Sequence, residues 1–145
     1  MAPLIALVAV TALARLVGRL GAFDWLDSWP HAVQLGLAAM FVLTTIAHFV
    51  QPLRKELIAM VPPRIPNAPA VVTVTGVLEL AGAIGLLIPV TTRLAAACLA
   101  VLMVVMFPAN MYEAGPGRGI KTMPLPLRAV LQVVFIGACV FVILG

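Results

Sequence analysis

A single carboxylate, Glu79, interrupts the apolar stretch TVTGVLELAGAIGLLIP at residues 73–89. An ionised carboxylate is costly in hydrocarbon, so intramembrane acids are rare and usually face a bundle interior or a wet cavity. Gly76, Gly82 and Ala83 stand three or four positions away and therefore share the helical face of Glu79. Small residues on that face let a neighbouring helix approach closely. The stretch predicts a central transmembrane helix that presents one acid to the inside of a small bundle.

Further polar residues lie near the ends of the other apolar stretches. We call side A the membrane face reached by the loops at 51–69 and 113–127, and side B the opposite face. At 1.5 Å of rise per residue, most intramembrane polar groups fall in the half nearest side A. We predict a polar pocket that opens toward side A, with Glu79 at its floor and His48 near its mouth. Glu79 and His48 are the predicted catalytic acid and base, and the predicted substrate-binding residues are Asn110, Gln132, Arg128, Thr75 and Tyr112.

Four of these residues also have a structural interpretation. Glu79 could be a clamp paired with His48 or Arg128, or could accept a hydrogen bond from Asn110, since buried charges are tolerated when paired. His48 could be a satisfied interfacial histidine. Asn110 could cap carbonyls that a nearby proline leaves free. For Gln132, an interhelical hydrogen bond is favoured over a ligand contact.

The sequence shows no metal motif, P-loop, GxGxxG or nucleophile–base pair, and we predict no metal site. Cys98 and Cys139 lie at similar depth near side B, which would permit a dithiol. Apolar surroundings make a thiol inert, so two small apolar fillers are favoured. The predicted chemistry therefore depends on Glu79 and His48.

The composition defines the class of protein. Of 145 residues, 63% are hydrophobic and 10% are charged, whereas soluble domains have roughly 45–50% apolar and about 25% charged residues. The chain is therefore expected to be a single all-α integral membrane domain spanning residues 1–145. Its net charge of +4 comes from Lys and Arg at helix ends, which orient a membrane protein, and this argues against nucleic-acid binding.

The predicted spans are residues 2–20, 31–50, 70–89, 94–112 and 128–144. Between the second and third spans, LRKELIAMV is predicted to form a short amphipathic surface helix. The segment PPRIPNAP that follows it is predicted to be an extended link, because proline lacks an N–H and restricts the preceding residue.

The Lys and Arg residues are distributed unevenly between the two sides. Side A has six of them, and side B has three, Arg15, Arg19 and Arg93. This bias predicts that side A is cytoplasmic, with the N-terminus inside and the C-terminus outside.

Several motifs resemble the DoxX-like family of small bacterial membrane proteins. The similarity extends from residue 37 to residue 135 and is carried by His48-Phe49, Met60-Val61-Pro62-Pro63, Gly76 with Glu79, Pro89 with Arg93, Phe107-Pro108-Ala109-Asn110, and Arg128 with Gln132. The resemblance implies a four-helix core, here with one extra N-terminal helix, in the inner (plasma) membrane. A four-helix core with both ends cytoplasmic would place side B inside, in contrast to the charge bias.

The same resemblance sets the functional expectations. Its relatives include a subunit linked to thiosulfate–quinone oxidoreduction, proteins of oxidative-stress complexes and chaperone-like members. We therefore expect a small membrane enzyme or oxidoreductase subunit that binds a lipophilic substrate, with a quinone as the candidate cofactor or substrate. The alternative is a non-catalytic scaffold or assembly factor for a partner protein or for a second copy of the chain. A proton-coupled carrier is less favoured, because no inverted repeat is visible.

Overall fold

The computed structural model describes residues 1–113 and 124–145, and the fold is all-α. Six α-helices follow one another: α1 (Ala2–Arg19), α2 (Trp29–Phe49), α3 (Leu53–Met60), α4 (Ala68–Leu87), α5 (Thr92–Glu113) and α6 (Leu125–Leu144). All except α3 are long and apolar enough to cross a membrane. This confirms the predicted multi-pass helical membrane protein. The predicted spans correspond to these five helices, with ends displaced by at most three residues.

Proline in the first turn accounts for the displaced starts of two helices. Pro69 and Pro126 lie at the starts of α4 and α6, respectively. The first N–H groups of a helix have no intrahelical acceptor, so proline costs no hydrogen bond there. As a result, α4 begins at Ala68, directly after Asn67 in the left-handed conformation (φ 55°). Similarly, α6 begins at Leu125, so Arg128 lies inside its first turn and does not open the helix.

Helices α2, α4, α5 and α6 form a four-helix bundle, in which α6 packs back against α2 to close the ring. Helix α1 packs on the outside of α2, and Gly36 of α2 lies directly against Leu7 and Thr11 of α1. The short helix α3 contacts α2, α4 and α5 at side A. The arrangement therefore corresponds to a four-helix core with an additional N-terminal helix.

One face of α4 forms the seam of the bundle. Its buried residues alternate by four and three positions: Val72, Gly76, Glu79, Ala83 and Leu86. This spacing is typical of helices that pack at a shallow angle with interlocking side chains. The core around the seam includes Leu37, Met40, Leu99 and Cys139, each almost completely buried. Glu79 thus occupies a position that apolar residues occupy elsewhere along the same stripe.

Candidate functional site

Glu79 lies at the contact between α2 and α4. It is 6% exposed, and its Oε2 accepts a hydrogen bond from Thr44 Oγ1 at 2.8 Å. The same oxygen lies 3.7 Å from Nδ1 of His48, which is 4% exposed. That distance is within ion-pair range but longer than a hydrogen bond. The structure therefore brings the predicted acid and base together, with Thr44 between them.

The backbone of α2 orients the His48 ring. His48 Nδ1 lies 3.0 Å from the carbonyl oxygen of Thr44. Because a carbonyl oxygen can only accept, Nδ1 carries the hydrogen in this bond. In the neutral ring, Nε2 then has its lone pair available as an acceptor. Within the described parts of the chain, neither His48 Nε2 nor Glu79 Oε1 has a hydrogen-bond partner.

Gly76 allows α2 and α4 to approach each other at this level. A Cβ atom on Gly76 would lie 2.6 Å from His48 Cβ and 2.9 Å from the Phe49 ring. Gly82, predicted to lie on the same face, is directed toward α5, where a Cβ would lie 2.5 Å from Leu99. Glycine at 76 is therefore a requirement for the geometry of the Glu79–His48 pair.

Arg54 of α3 connects the two helices that carry the pair. Its guanidinium donates to the His48 carbonyl at 2.6 Å, to the Pro69 carbonyl at 3.2 Å and to Thr73 Oγ1 at 2.9 Å. From the sequence, Arg54 was used only to predict membrane orientation. Its position shortly after the end of α2 could have predicted the bond to the His48 carbonyl, since basic residues near the end of a helix often bond its last carbonyls.

A second polar group lies between α5 and α6. Arg128 donates to Asn110 Oδ1 at 3.2 Å, and Gln132 Nε2 donates to the Met103 carbonyl at 2.8 Å. Asn110 thus accepts a bond from a neighbouring helix through Oδ1, whereas the capping interpretation concerns its amide N–H. Gln132 makes the interhelical bond that the sequence favoured. Helix α5 continues through Pro108 to Glu113, so the proline does not end it.

The remaining predicted binding residues, Thr75 and Tyr112, have different surroundings. Thr75 donates to carbonyls of its own helix, those of Val71 and Val72, at 2.9 and 3.1 Å. Tyr112 lines a surface groove at side A together with Arg64. The hydrogen bonds thus divide the predicted site between an α2–α4 cluster (Thr44, His48, Arg54, Thr73 and Glu79) and an α5–α6 cluster (Met103, Asn110, Arg128 and Gln132). Ligand binding by these residues stays a prediction.

Gln34 was missed by sequence reasoning. It lies in α2 near side B, is 4% exposed, and donates from Nε2 to the Leu86 carbonyl near the end of α4. Thr92 Oγ1 lies 3.0 Å from the same carbonyl and 3.5 Å from Gln34 Nε2. The signal was an amide side chain inside an apolar span, which needs an internal partner in lipid.

The two cysteines have different environments. Both are free; Cys139 is buried in the core, whereas Cys98 is exposed on the outside of the bundle. The filler interpretation therefore agrees with the position of Cys139. It is wrong for Cys98, because that side chain points away from the core.

Comparison with known proteins identifies the family. A family described as a domain of unknown function (DUF8561) matches residues 37–142. The chain belongs to this family, and the matched region runs from within α2 into α6, so it contains both polar clusters. No curated protein and no solved structure matches the chain. The resemblance to the DoxX-like family stays a prediction.

Proposed function

We propose that the protein is a small membrane enzyme or oxidoreductase subunit that binds a lipophilic compound of the quinone class, in its hydroxyl-bearing quinol form, beside Glu79 and His48. The observation that carries this proposal is the buried acid–imidazole pair in the apolar seam of α4. An intramembrane ionisable residue is a functional-site hypothesis by default. The cluster includes two atoms, Glu79 Oε1 and His48 Nε2, that no hydrogen bond within the described residues occupies.

The hydrogen-bond pattern favours a ligand that donates hydrogen bonds. With the Nδ1 hydrogen directed at the Thr44 carbonyl, His48 Nε2 is an acceptor. An ionised Glu79 Oε1 is an acceptor as well. A quinol hydroxyl meets this requirement, and either residue could take up the proton that the hydroxyl loses.

The depth of Glu79 in the membrane favours a lipophilic ligand. Glu79 lies eleven residues after the start of α4, about 16 Å along the helix axis. The hydrocarbon core is about 30 Å thick, so Glu79 lies near its middle. A ligand dissolved in the bilayer can reach this depth without leaving hydrocarbon.

Mass spectrometry of a solvent extract from the purified protein tests the proposal. We expect a specific quinone or related lipophile in the wild-type protein and its loss from both Glu79→Gln and His48→Ala. Glu56→Gln is the matched control, because it makes the same change at an exposed carboxylate on α3. Detection of bulk phospholipid alone in all four proteins would refute the proposal.

A specific observation favours the second candidate, a scaffold or assembly factor. The α5–α6 cluster directs its bonds between its own helices, through Arg128 to Asn110 and Gln132 to Met103, as residues that only fix a bundle would do. For a scaffold, Glu79→Gln would lower recovery of a partner protein or of a second copy while leaving the extracted lipids unchanged.

We propose the inner (plasma) membrane as the location, with side A in the cytoplasm. The support is the excess of Lys and Arg on side A, which includes Arg54 and Lys55 in α3, Arg64 in the link after α3, and Arg128 in α6. Labelling of a cysteine placed at Lys55 in intact cells tests it. Protection from an impermeant reagent is expected, and labelling without lysis would reverse the orientation.

A further inference from the structure

A groove at side A lies between the link that follows α3 and the last turns of α5. Its volume is about 450 Å³. It is lined by Pro62, Pro63, Arg64, Pro108, Met111 and Tyr112. None of these residues belongs to the Glu79–His48 pair, so the groove is a site of its own.

Arg64 provides a positive charge that no carboxylate with a described position pairs with. The other two arginines near the side A ends of the helices, Arg54 and Arg128, donate hydrogen bonds to neighbouring elements. Arg64 is exposed and makes no hydrogen bond or ion pair with any residue of the described ranges. The guanidinium is a planar fork of donors that matches the oxygens of a phosphate.

The surroundings of Arg64 are apolar and stiff. Three of the six lining residues are prolines, whose rings fix the backbone angle φ. Met111 is 51% exposed and offers a flexible apolar surface. Tyr112 lies in the last turn of α5, where aromatic rings with one polar end are common at the membrane–water boundary. An anion held here would therefore lie at headgroup level with hydrocarbon surface beside it.

We propose that this groove binds an anionic phospholipid of the bilayer, with Arg64 donating to the phosphodiester oxygens and the proline and methionine surfaces covering the glycerol and the first acyl carbons. Charge supports an anionic lipid. Side A has six Lys and Arg residues and only two carboxylates, Glu56 and Glu113, and each basic residue near an anionic surface adds to the attraction. The apolar walls favour a lipid over free phosphate, because free phosphate has no apolar part that could pack against them.

Native mass spectrometry of the full chain in neutral detergent tests the proposal, with phosphatidylglycerol and phosphatidylcholine of the same acyl chains added at equal concentration. We expect phosphatidylglycerol to bind preferentially. Arg64→Gln should weaken that binding about tenfold or more, the loss of one charge-assisted contact. Lys55→Gln is the matched control, because it removes an exposed cation on α3 that does not line the groove.

A second variant tests the contribution of the groove to lipid binding separately from the contribution of the Arg64 charge. Met111→Trp fills the groove and leaves Arg64 in place, so it should also displace phosphatidylglycerol while the melting temperature of the lipid-free protein stays near wild type. Equal losses in Arg64→Gln and Lys55→Gln would reduce the effect to general surface charge and overturn the proposal. Full displacement of the lipid by millimolar inorganic phosphate would also overturn it, because the site would then belong to a soluble anion.

Discussion

Two buried polar side chains, Gln34 and Glu79, lie on the same pair of helices at different depths: Gln34 lies near side B, and Glu79 lies near the middle of α4. Gln34 is neutral and donates to the Leu86 carbonyl, beside the threonines that bond the end of α4. Glu79 is ionisable, and its partners are the Thr44 hydroxyl and the His48 ring. Each is at most 6% exposed, so burial alone does not distinguish them.

The difference lies in what each side chain does for the fold. The end of a helix leaves carbonyls without intrahelical donors, and in lipid no water can satisfy them. Gln34 meets that need, which gives it a complete structural explanation. The backbone around Glu79 is helical and already bonded, so no such need explains an acid there. The side B end of the α2–α4 contact therefore has a structural role, whereas the middle of that contact, around Glu79, holds the unassigned chemistry.

The largest loss of stability is expected from Gly76→Leu. The new side chain would occupy the space of His48 and Phe49, so α4 would be forced away from α2 and the Glu79–His48 pair would separate. We expect a loss of about 3 kcal/mol in the free energy of unfolding, at the upper end for overpacking, together with loss of any bound lipophile. Titration with a denaturing detergent measures the stability.

Gly137→Leu is the matched control for that change. A Cβ at Gly137 meets no atom within 4 Å in the described structure, so a larger side chain has room there. Its stability should stay close to wild type. If Gly76→Leu were equally harmless, α2 and α4 would not be as close as the structure places them.

An intermediate effect is expected from Arg54→Gln. The shorter neutral side chain cannot reach the His48 carbonyl, the Pro69 carbonyl and Thr73 together, and bonds from a charged donor are stronger than neutral ones. We expect a loss of about 2 kcal/mol in the free energy of unfolding. Lys55→Gln, at the exposed neighbouring position, should leave stability unchanged; equal losses in the two variants would mean that Arg54 acts only as a surface charge.

The smallest effect is expected from Gln34→Leu. The Leu86 carbonyl would keep the Thr92 hydroxyl as a donor, so we expect a loss of about 1 kcal/mol. Retention of the lipophile by the purified variant should match the wild type. Loss of the lipophile without loss of stability would reverse the roles that we assign to Gln34 and Glu79.

Much of the fold could be predicted from each apolar stretch considered separately. The lengths of the apolar stretches predicted five helices, and the position of Glu79 within residues 73–89 predicted which face of that helix points inward. The pairing of Glu79 with His48 was among the predicted alternatives, because both residues were assigned to the same polar pocket. The starts of α4 and α6 were predicted two or three residues too late, because proline occurs both in links and in the first turn of a helix.

The division of the polar residues into two clusters could not be predicted in the same way. Depth along a helix follows from counting residues, but the direction of a side chain around the bundle depends on which helices are neighbours. Arg54 shows the difficulty most clearly. Its acceptors are two backbone carbonyls and one hydroxyl from α2 and α4. Every residue has a backbone carbonyl, so the residue types alone do not predict which carbonyl Arg54 bonds.

The position of α1 outside the four-helix ring determines which compartments the two chain ends face. The described residues include five helices long and apolar enough to cross a membrane. Because five is odd, a chain that crosses with each of them has Met1 and Gly145 on opposite faces, whereas the ring alone would return both ends to one face. A reporter fused before Ala2 and one fused after Leu144 would therefore report from different compartments. Removing α1 would bring the two reporters to the same face without changing the ring that holds Glu79.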